Sequence, residues 1–249
     1  MALKDQFRFK LAGFLFKNLP FIYKPLYFAF KNLQDAYQLK LISNYIKKGD
    51  QVLDIGANIG YYSIKLAQMV GNNGTIHCFE PDPTNFNFLE KNTQGYSNIF
   101  LNNSAVSNKS GKLTFYQSTL LNVDHRAYKP DSYTHSFDVN CIAIDDYINK
   151  YQKISFIKMD IQGYEYAALL GMEQLLKRDK PSLLMEFWPY GFQMAGTKAE
   201  TVYHYLKNLN YDFYLIEKSS IRKCEENEIL NLPVSEETYF NFILKNNKA

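Results

Sequence analysis

From residue 35 onward, short apolar runs alternate with stretches whose apolar residues recur every three to four positions. Val52, Leu53 and Ile55 form a branched, apolar run suited to a strand buried on both faces. Ile59, Tyr62, Leu66 and Val70 follow at helical spacing, and Gly71 stands where that helix should stop. Residues 75–80 read as a second strand, after which Asp82 as N-cap and Pro83 at the first helical position predict a helix over 84–92. Residues 98–106 are the third strand and its exit, and residues 35–46 carry a helix that leads into the first strand. Leu113 to Gln117 and Phe137 to Ala143 alternate apolar with polar residues, as a half-buried antiparallel pair does, across a long polar connection.

Ile154 to Met159 is the fourth strand of the alternating series. Gly163 then opens a helix with Tyr164, Ala168, Met172, Leu175 and Leu176 on its apolar face. Pro181 introduces the strand Ser182 to Phe187, and Thr197 to Glu200 reads as a capping box before a stripe of Val202, Tyr205, Leu206 and Leu209. Tyr211 to Ile216 and Tyr239 to Leu244 close the chain as two further strands with no crossover helix expected between them. Such alternation predicts one α/β domain with a mostly parallel sheet, and ligands bind such sheets outside the carboxyl ends of the strands.

The chemistry concentrates where the first strand turns. Asp54 ends it, and Gly56, Ala57, Asn58 and Gly60 form a turn between a strand end and a helix N-terminus, where a ligand can approach the backbone closely. A dinucleotide fold uses G-x-G-x-x-G under a pyrophosphate. Here Asn58 stands in the middle of the spacing and Asp54 would repel a diphosphate. A zwitterionic amino acid carrying a sulfonium fits better, with Asp54 attracting its cation, which is the chemistry of S-adenosylmethionine. Glu80, 20 positions after Gly60, is placed to accept both hydroxyls of a ribose. Asn103 and Ser104, at the third strand's exit, are the nearest polar groups to read an adenine, or else turn residues that bond their own backbone.

Asp54-Ile-Gly-Ala-Asn-Ile-Gly60, Phe79-Glu-Pro-Asp82, Asn103-Ser-Ala-Val-Ser107 and Ile157-Lys-Met-Asp-Ile-Gln-Gly-Tyr-Glu165 together resemble the FkbM family of S-adenosylmethionine-dependent methyltransferases, over about residues 40 to 190. The resemblance implies a class I methyltransferase-like Rossmann sheet, mostly parallel with its last strand antiparallel, preceded by a helical N-terminal extension and interrupted by a β-hairpin. It implies methyl transfer to hydroxyls of sugars, glycans or secondary metabolites. The family commonly has Glu-Gly-x-Glu where this chain has Gln162-Gly163-Tyr164-Glu165.

Methyl transfer to a hydroxyl calls for a general base. Asp160, ending the strand beside the cofactor strand, is the first candidate, with Glu165 and Glu186 next; an N-capping role for Asp160 is the alternative. His125, Arg126 and His135 on the polar connection, and Trp188 in an aromatic stretch with two glycines, are candidates to hold the acceptor. The Asn/Asp-Pro-Pro-Tyr/Phe tetrapeptide of planar-nitrogen methyltransferases does not follow the fourth strand, which favours oxygen. A divalent metal between Asp160 and Glu186 has no third ligand at a known spacing, so no metal site is assigned.

Two readings from other classes remain: an NAD-dependent oxidoreductase, and a non-catalytic nucleotide-binding module. The net charge of +3 is too small to argue for nucleic acid, and Cys78, Cys141 and Cys224 read as separate reduced thiols of a cytoplasmic protein. Residues 1–34 form a basic aromatic arm ahead of the 35–249 domain. The arm holds six basic residues against Asp5, a surplus of five, so the remainder carries a deficit of two. Its uncharged runs are too short to span a bilayer, and Leu11 to Phe16 is shorter than a secretory apolar core. The arm is expected to pack as lid helices, with a peripheral anionic membrane contact or a homodimer contact as alternatives, and Pro20 and Pro25 predict that it is broken into short pieces.

Overall fold

The computed structural model describes residues 15, 18–117, 125–130, 133–148 and 153–248. The chain enters through α1 (Pro20–Gln34) and α2 (Ala36–Ile42), then runs β1 (Gln51–Ile55), α3 (Tyr61–Val70), β2 (Thr75–Phe79), α4 (Pro83–Thr93) and β3 (Ile99–Asn102). An insert follows, of β4 (Ala105–Val106), β5 (Gly111–Tyr116), β6 (Ser136–Ile142) and the turn α5 (Ile144–Tyr147). The alternation resumes with β7 (Ile154–Met159), α6 (Glu165–Leu170), α7 (Glu173–Asp179), β8 (Ser182–Phe187), α8 (Pro189–Met194) and α9 (Ala199–Asn208). It ends in β9 (Tyr211–Ile216), β10 (Ile221–Lys223), α10 (Glu226–Leu230) and β11 (Phe240–Asn246).

β1 lies inside an eight-stranded sheet, third from the β3 edge, parallel to β2 on one side and to β7 on the other. β3 and β8 continue the parallel order outward, and β11 runs antiparallel to both β8 and β9. The chain leaves β1 toward β2 and β3 and returns to the far side at β7, so the order reverses beside β1, where α/β sheets open a ligand crevice.

Strand alternation divides the core. Leu53, Ile55, Ile157 and Met159 face one cluster, with Leu169, Leu176, Phe192 and Leu206 from the helices on that side. Val52, Phe156 and Leu184 face the other, with Ile42, Leu66 and Leu89. The predicted hairpin forms as β5 and β6, and β4 adds parallel to β6 to make a separate three-stranded sheet.

Several expected elements take a different form. The third strand divides at Asn103 and Ser104, giving β3 to the main sheet and β4 to the small one. The helix after Gly163 breaks into α6 and α7 at Gly171, where a Cβ would lie 1.9 Å from the Ser107 carbonyl oxygen. The expected capping box at Thr197 is absent: Thr197 N–H bonds the Phe192 carbonyl and Lys198 is the N-cap of α9 without a side-chain bond. A capping box forms instead at Glu225 and Glu228, ahead of α10. α1 runs unbroken through Pro25 for 15 residues, with Pro20 in its first turn. A proline only five residues into a helix removes a single hydrogen bond, so the rest of the ladder persists. The arm's residues 1–14, 16 and 17 lie outside the described residues.

Candidate active site

The glycine turn after β1 is locked by backbone geometry. Gly56 and Gly60 adopt φ of +80° and +91°, and Asn58 adopts +50°. A Cβ on Gly56 would lie 2.0 Å from the Asp160 carbonyl oxygen, so the turn abuts the exit of β7. A Cβ on Gly60 would lie 2.8 Å from Leu89 of α4. Gly56 and Ala57 N–H both donate to the Phe79 carbonyl, tying the turn to β2.

Glu80, at the end of β2, reaches into the turn. Its Oε2 accepts from Asn58 N–H at 2.8 Å and its Oε1 from Asp82 N–H at 2.9 Å. Burial pushes its carboxyl up to about 7, helped by the Asp82 charge and opposed by the two backbone donors. Asp82 caps α4 as expected, accepting from Asn85 N–H at 2.8 Å.

Asp54 does not face the same opening. It is fully buried; its Oδ2 accepts from Ser63 Oγ at 2.6 Å, and its Oδ1 lies 3.5 Å from Lys158 Nζ. The expectation that Asp54 directly attracts a cofactor cation is therefore corrected: its partner is internal. Lys158 occupies the same register on β7, donates to the Gly56 carbonyl at 2.8 Å and stands 5.6 Å from the centre of the Tyr62 ring. Burial alone would lower the Lys158 pKa, but the Asp54 and Asp160 carboxylates outweigh it and hold the ammonium above its ordinary value. Lys158 escaped the sequence reading, although a lysine set between Ile157 and Met159 in a buried strand was the signal for a buried counter-ion.

The remaining acids diverge. Glu165 has no exposed surface and its Oε1 accepts from Ile161 N–H at 3.0 Å, while burial pushes its carboxyl up to about 8. It braces the loop after β7 and cannot touch an acceptor, which corrects the expectation that it is a candidate base. Asp160 and Glu186 both line a small open cleft, with a cavity volume of about 90 Å³, at the carboxyl ends of β7, β8 and the facing part of β11. Lys31, Asp35, Gln38, Tyr62, Tyr239 and Asn241 also line it, a strongly polar wall drawn partly from the N-terminal helices. Tyr62 Oη donates to Asp35 at 3.0 Å and accepts from Gln38 at 2.7 Å, so α3 is stitched to α2 and its approach. Between the two acids, Gln162 Nε2 donates to Asp160 Oδ1 at 3.0 Å and Glu186 Oε2 at 3.3 Å.

The four candidate acceptor residues lie apart from this cleft. Arg126 stacks 5.1 Å from the centre of the Trp188 ring and is buried with it, and Trp188 Nε1 donates to the Ser235 carbonyl. His125 Nε2 stands 3.7 Å from Asp82 Oδ2, beside Gln117, and edge-on to Phe115. The insert thus reaches from the exit of β2 to the exit of β8. His135 is exposed against Phe137 and is not brought to the others. Asn103 donates its amide to the Glu80 and Pro81 carbonyls, which is the turn-holding alternative for this residue; Ser104 is buried beside it. Among the described residues, no group of three or more His, Cys, Asp and Glu side chains gathers to hold a metal. The position between Asp160 and Glu186 is taken by the Gln162 amide.

The sheet order, the reversed β11 and the glycine turn beside the crevice define the class I methyltransferase fold. The chain belongs to the methyltransferase FkbM domain family, which it matches over residues 54–213. An FkbM methyltransferase structure from Methylobacillus flagellatus KT superposes with a TM-score of 0.50 at 18% identity, covering 78% of this chain and 43% of that one. A structure described as a putative rRNA-methylase from Clostridium thermocellum gives 0.51 at 13% identity, covering 85% and 94%. At such identities these likenesses speak for the fold alone. A protein-L-isoaspartate O-methyltransferase of Caenorhabditis elegans is 29% identical over 92 residues, 36% of this chain and 41% of the relative's length.

Proposed function

We propose that the chain is an S-adenosylmethionine-dependent O-methyltransferase acting on a hydroxyl of a sugar, glycan or secondary metabolite. The observation that carries this reading is the polar cleft, which sets Asp160 at the edge of the glycine turn and surrounds it with groups suited to a hydroxyl-rich molecule. The residues at the turn fit the cofactor: Glu80 stands at the end of β2 beside the turn, the expected place for a ribose, and α3 begins directly behind it. S-adenosylmethionine, when bound, supplies an electrophilic methyl carbon on a sulfonium.

Asp160 accepts the acceptor's hydroxyl proton, leaving the oxygen lone pair for the new bond to that carbon, while the carbon–sulfur pair stays on sulfur. Holding the oxygen in line accounts for ~7 to 11 kcal/mol of the barrier, and the base adds ~100- to 10,000-fold. Lys158 binds the turn to β7, and Glu165 braces the loop that carries Asp160. Arg126 and Trp188, stacked on each other away from the cleft, tie the insert to the exit of β8. No nucleic acid or metal is part of this reading, and the work is placed in the cytoplasm, against the membrane's inner face where the arm adsorbs.

Calorimetry with S-adenosylmethionine and NAD tests the cofactor. Micromolar binding of the sulfonium alone is expected, whereas binding of NAD alone would replace the reading with an oxidoreductase. Release of S-adenosylhomocysteine on incubation with extracted glycans and glycosides separates an enzyme from a non-catalytic module.

A further inference from the structure

We propose that Gln162 is a positioning residue that holds Asp160 and Glu186 as a two-carboxylate cradle for adjacent hydroxyls of the acceptor, so that the acceptor class is a vicinal diol. This rests on the cleft proposed above as the acceptor site and adds a requirement to it. An ionised carboxylate can only accept hydrogen bonds, and an amide nitrogen carries two N–H donors. With Nε2 3.0 Å from Asp160 Oδ1 and 3.3 Å from Glu186 Oε2, both donors are directed to the acids, which settles which end of the amide faces them. One amide thereby bridges the two acids at the cleft.

The backbone enforces this placement. Gln162 adopts φ of +58°, a left-handed conformation that a non-glycine residue keeps only where its surroundings impose it. Those surroundings are visible. Gly163, at φ +94°, is pressed against Gly191, where a Cβ would lie 2.5 Å from the carbonyl carbon. Gly191 is in turn pressed against the Trp188 ring, where a Cβ would lie 2.2 Å from it. Glu165 secures the other end through Ile161 N–H. The side chain is therefore fixed over the two acids. The charged and titratable groups facing the pair are Tyr27, Lys31 and Asp35 from the α1 and α2 side, Tyr62 from α3, Lys158 from β7, Glu165 from α6 and Tyr239 ahead of β11. A diol can donate one hydroxyl to Asp160, which removes its proton, and the neighbouring one to Glu186.

The probe is a panel of methyl glycosides and their mono-deoxy analogues, titrated into the full chain with and without S-adenosylhomocysteine from pH 6 to 8. A site built to bond a hydroxyl rejects the analogue lacking it, by up to ~10,000-fold or more when closed, so at least ~10-fold is expected in this open cleft. Glu186→Gln should reduce that preference below ~3-fold while retaining glycoside binding. In Gln162→Glu a third carboxylate forces the group to share a proton, so glycoside binding should gain a pH dependence between pH 6 and 8 that the parent lacks when the two profiles are compared, with cofactor affinity unchanged. A mere packing role for Gln162 would not move a pH profile. Binding of no glycoside, equal binding of the deoxy analogues, or a Gln162→Glu profile that superposes on the parent's overturns the cradle even where cofactor binds. Loss of cofactor binding with the diol preference intact would overturn the methyltransferase reading and leave the cradle standing.

Discussion

Lys158 sits inside a buried strand because Asp54 stands at the matching register of the next one, 3.5 Å away, with Ser63 holding the carboxylate's other oxygen. Removing one partner of a buried pair leaves an uncompensated charge and costs ~3–5 kcal/mol, while replacing both is far milder. Lys158→Met should lower the urea-derived stability by that amount, and the Asp54→Asn/Lys158→Met double variant should recover most of it. Equal losses in both would show that packing, not charge, holds the turn. At the rim the expectation is opposite in kind: Asp160→Asn should keep cofactor affinity within ~3-fold by calorimetry and lower turnover at least ~100-fold. Full turnover would move the base to Glu186. The strand-end acids were legible as a set, because each closes an apolar run. Their directions were not. Alternation turns Asp54 inward toward Lys158, and the path of the chain after Asp160, which brings Gln162 between two acids, leaves no periodic trace in sequence.

Buried parallel strands and the helices between them write strong periodic signals, which is why β1, β2, β7, β8 and α4 fall where the apolar pattern places them. What the pattern hides is contact at a distance. Nothing near Gly171 announces that Ser107, 64 positions earlier, will press on it and split one helix into two. The same holds for Thr197, whose N–H is claimed by α8 before it can cap α9. β10 and α10 lie in a charged stretch whose apolar positions are too few to mark them. Gly163 makes the clearest test. Its φ of +94° and the Gly191 backbone 2.5 Å from a prospective Cβ both oppose a side chain. Gly163→Ala should therefore lose more than the ~1 kcal/mol that strain at such a φ costs by itself. Gly95, whose Cβ would meet nothing within 4 Å, is the control, and Gly95→Ala should stay within ~0.5 kcal/mol. Matching urea midpoints for the two variants would refute the close approach.

Across the molecule, two buried carboxyls set how stability follows pH. Glu80 and Glu165 move from an ordinary 4.5 to about 7 and about 8, chiefly through burial. Between those limits the folded chain binds more protons than the unfolded one, so stability is greatest at low pH in this window and falls as pH rises through it. Glu165→Gln, which keeps an oxygen for Ile161 N–H, should flatten the decline in urea midpoint between pH 5.5 and 8.5; an unchanged slope would clear Glu165 of the effect. The second global property is the separation of charge from apolar surface. The arm holds the basic surplus, and α1 turns Phe21, Leu26, Phe30 and Leu33 outward, each more than half exposed. Among the described residues no helix is long and apolar enough to cross a membrane. Apolar side chains on a helix in a basic segment suit the headgroup boundary of an anionic leaflet, where each lysine or arginine near the surface contributes ~1 kcal/mol that salt screens. The chain should co-sediment with vesicles containing phosphatidylserine at low salt, release as salt is raised, and ignore neutral vesicles. Phe30→Glu/Leu33→Glu should lose the binding while cofactor affinity holds, since neither side chain lines the cleft. Binding that ignores salt and lipid charge, or a dimer in sedimentation that the same double variant dissolves, would assign the exposed face of α1 to a second copy of the chain instead.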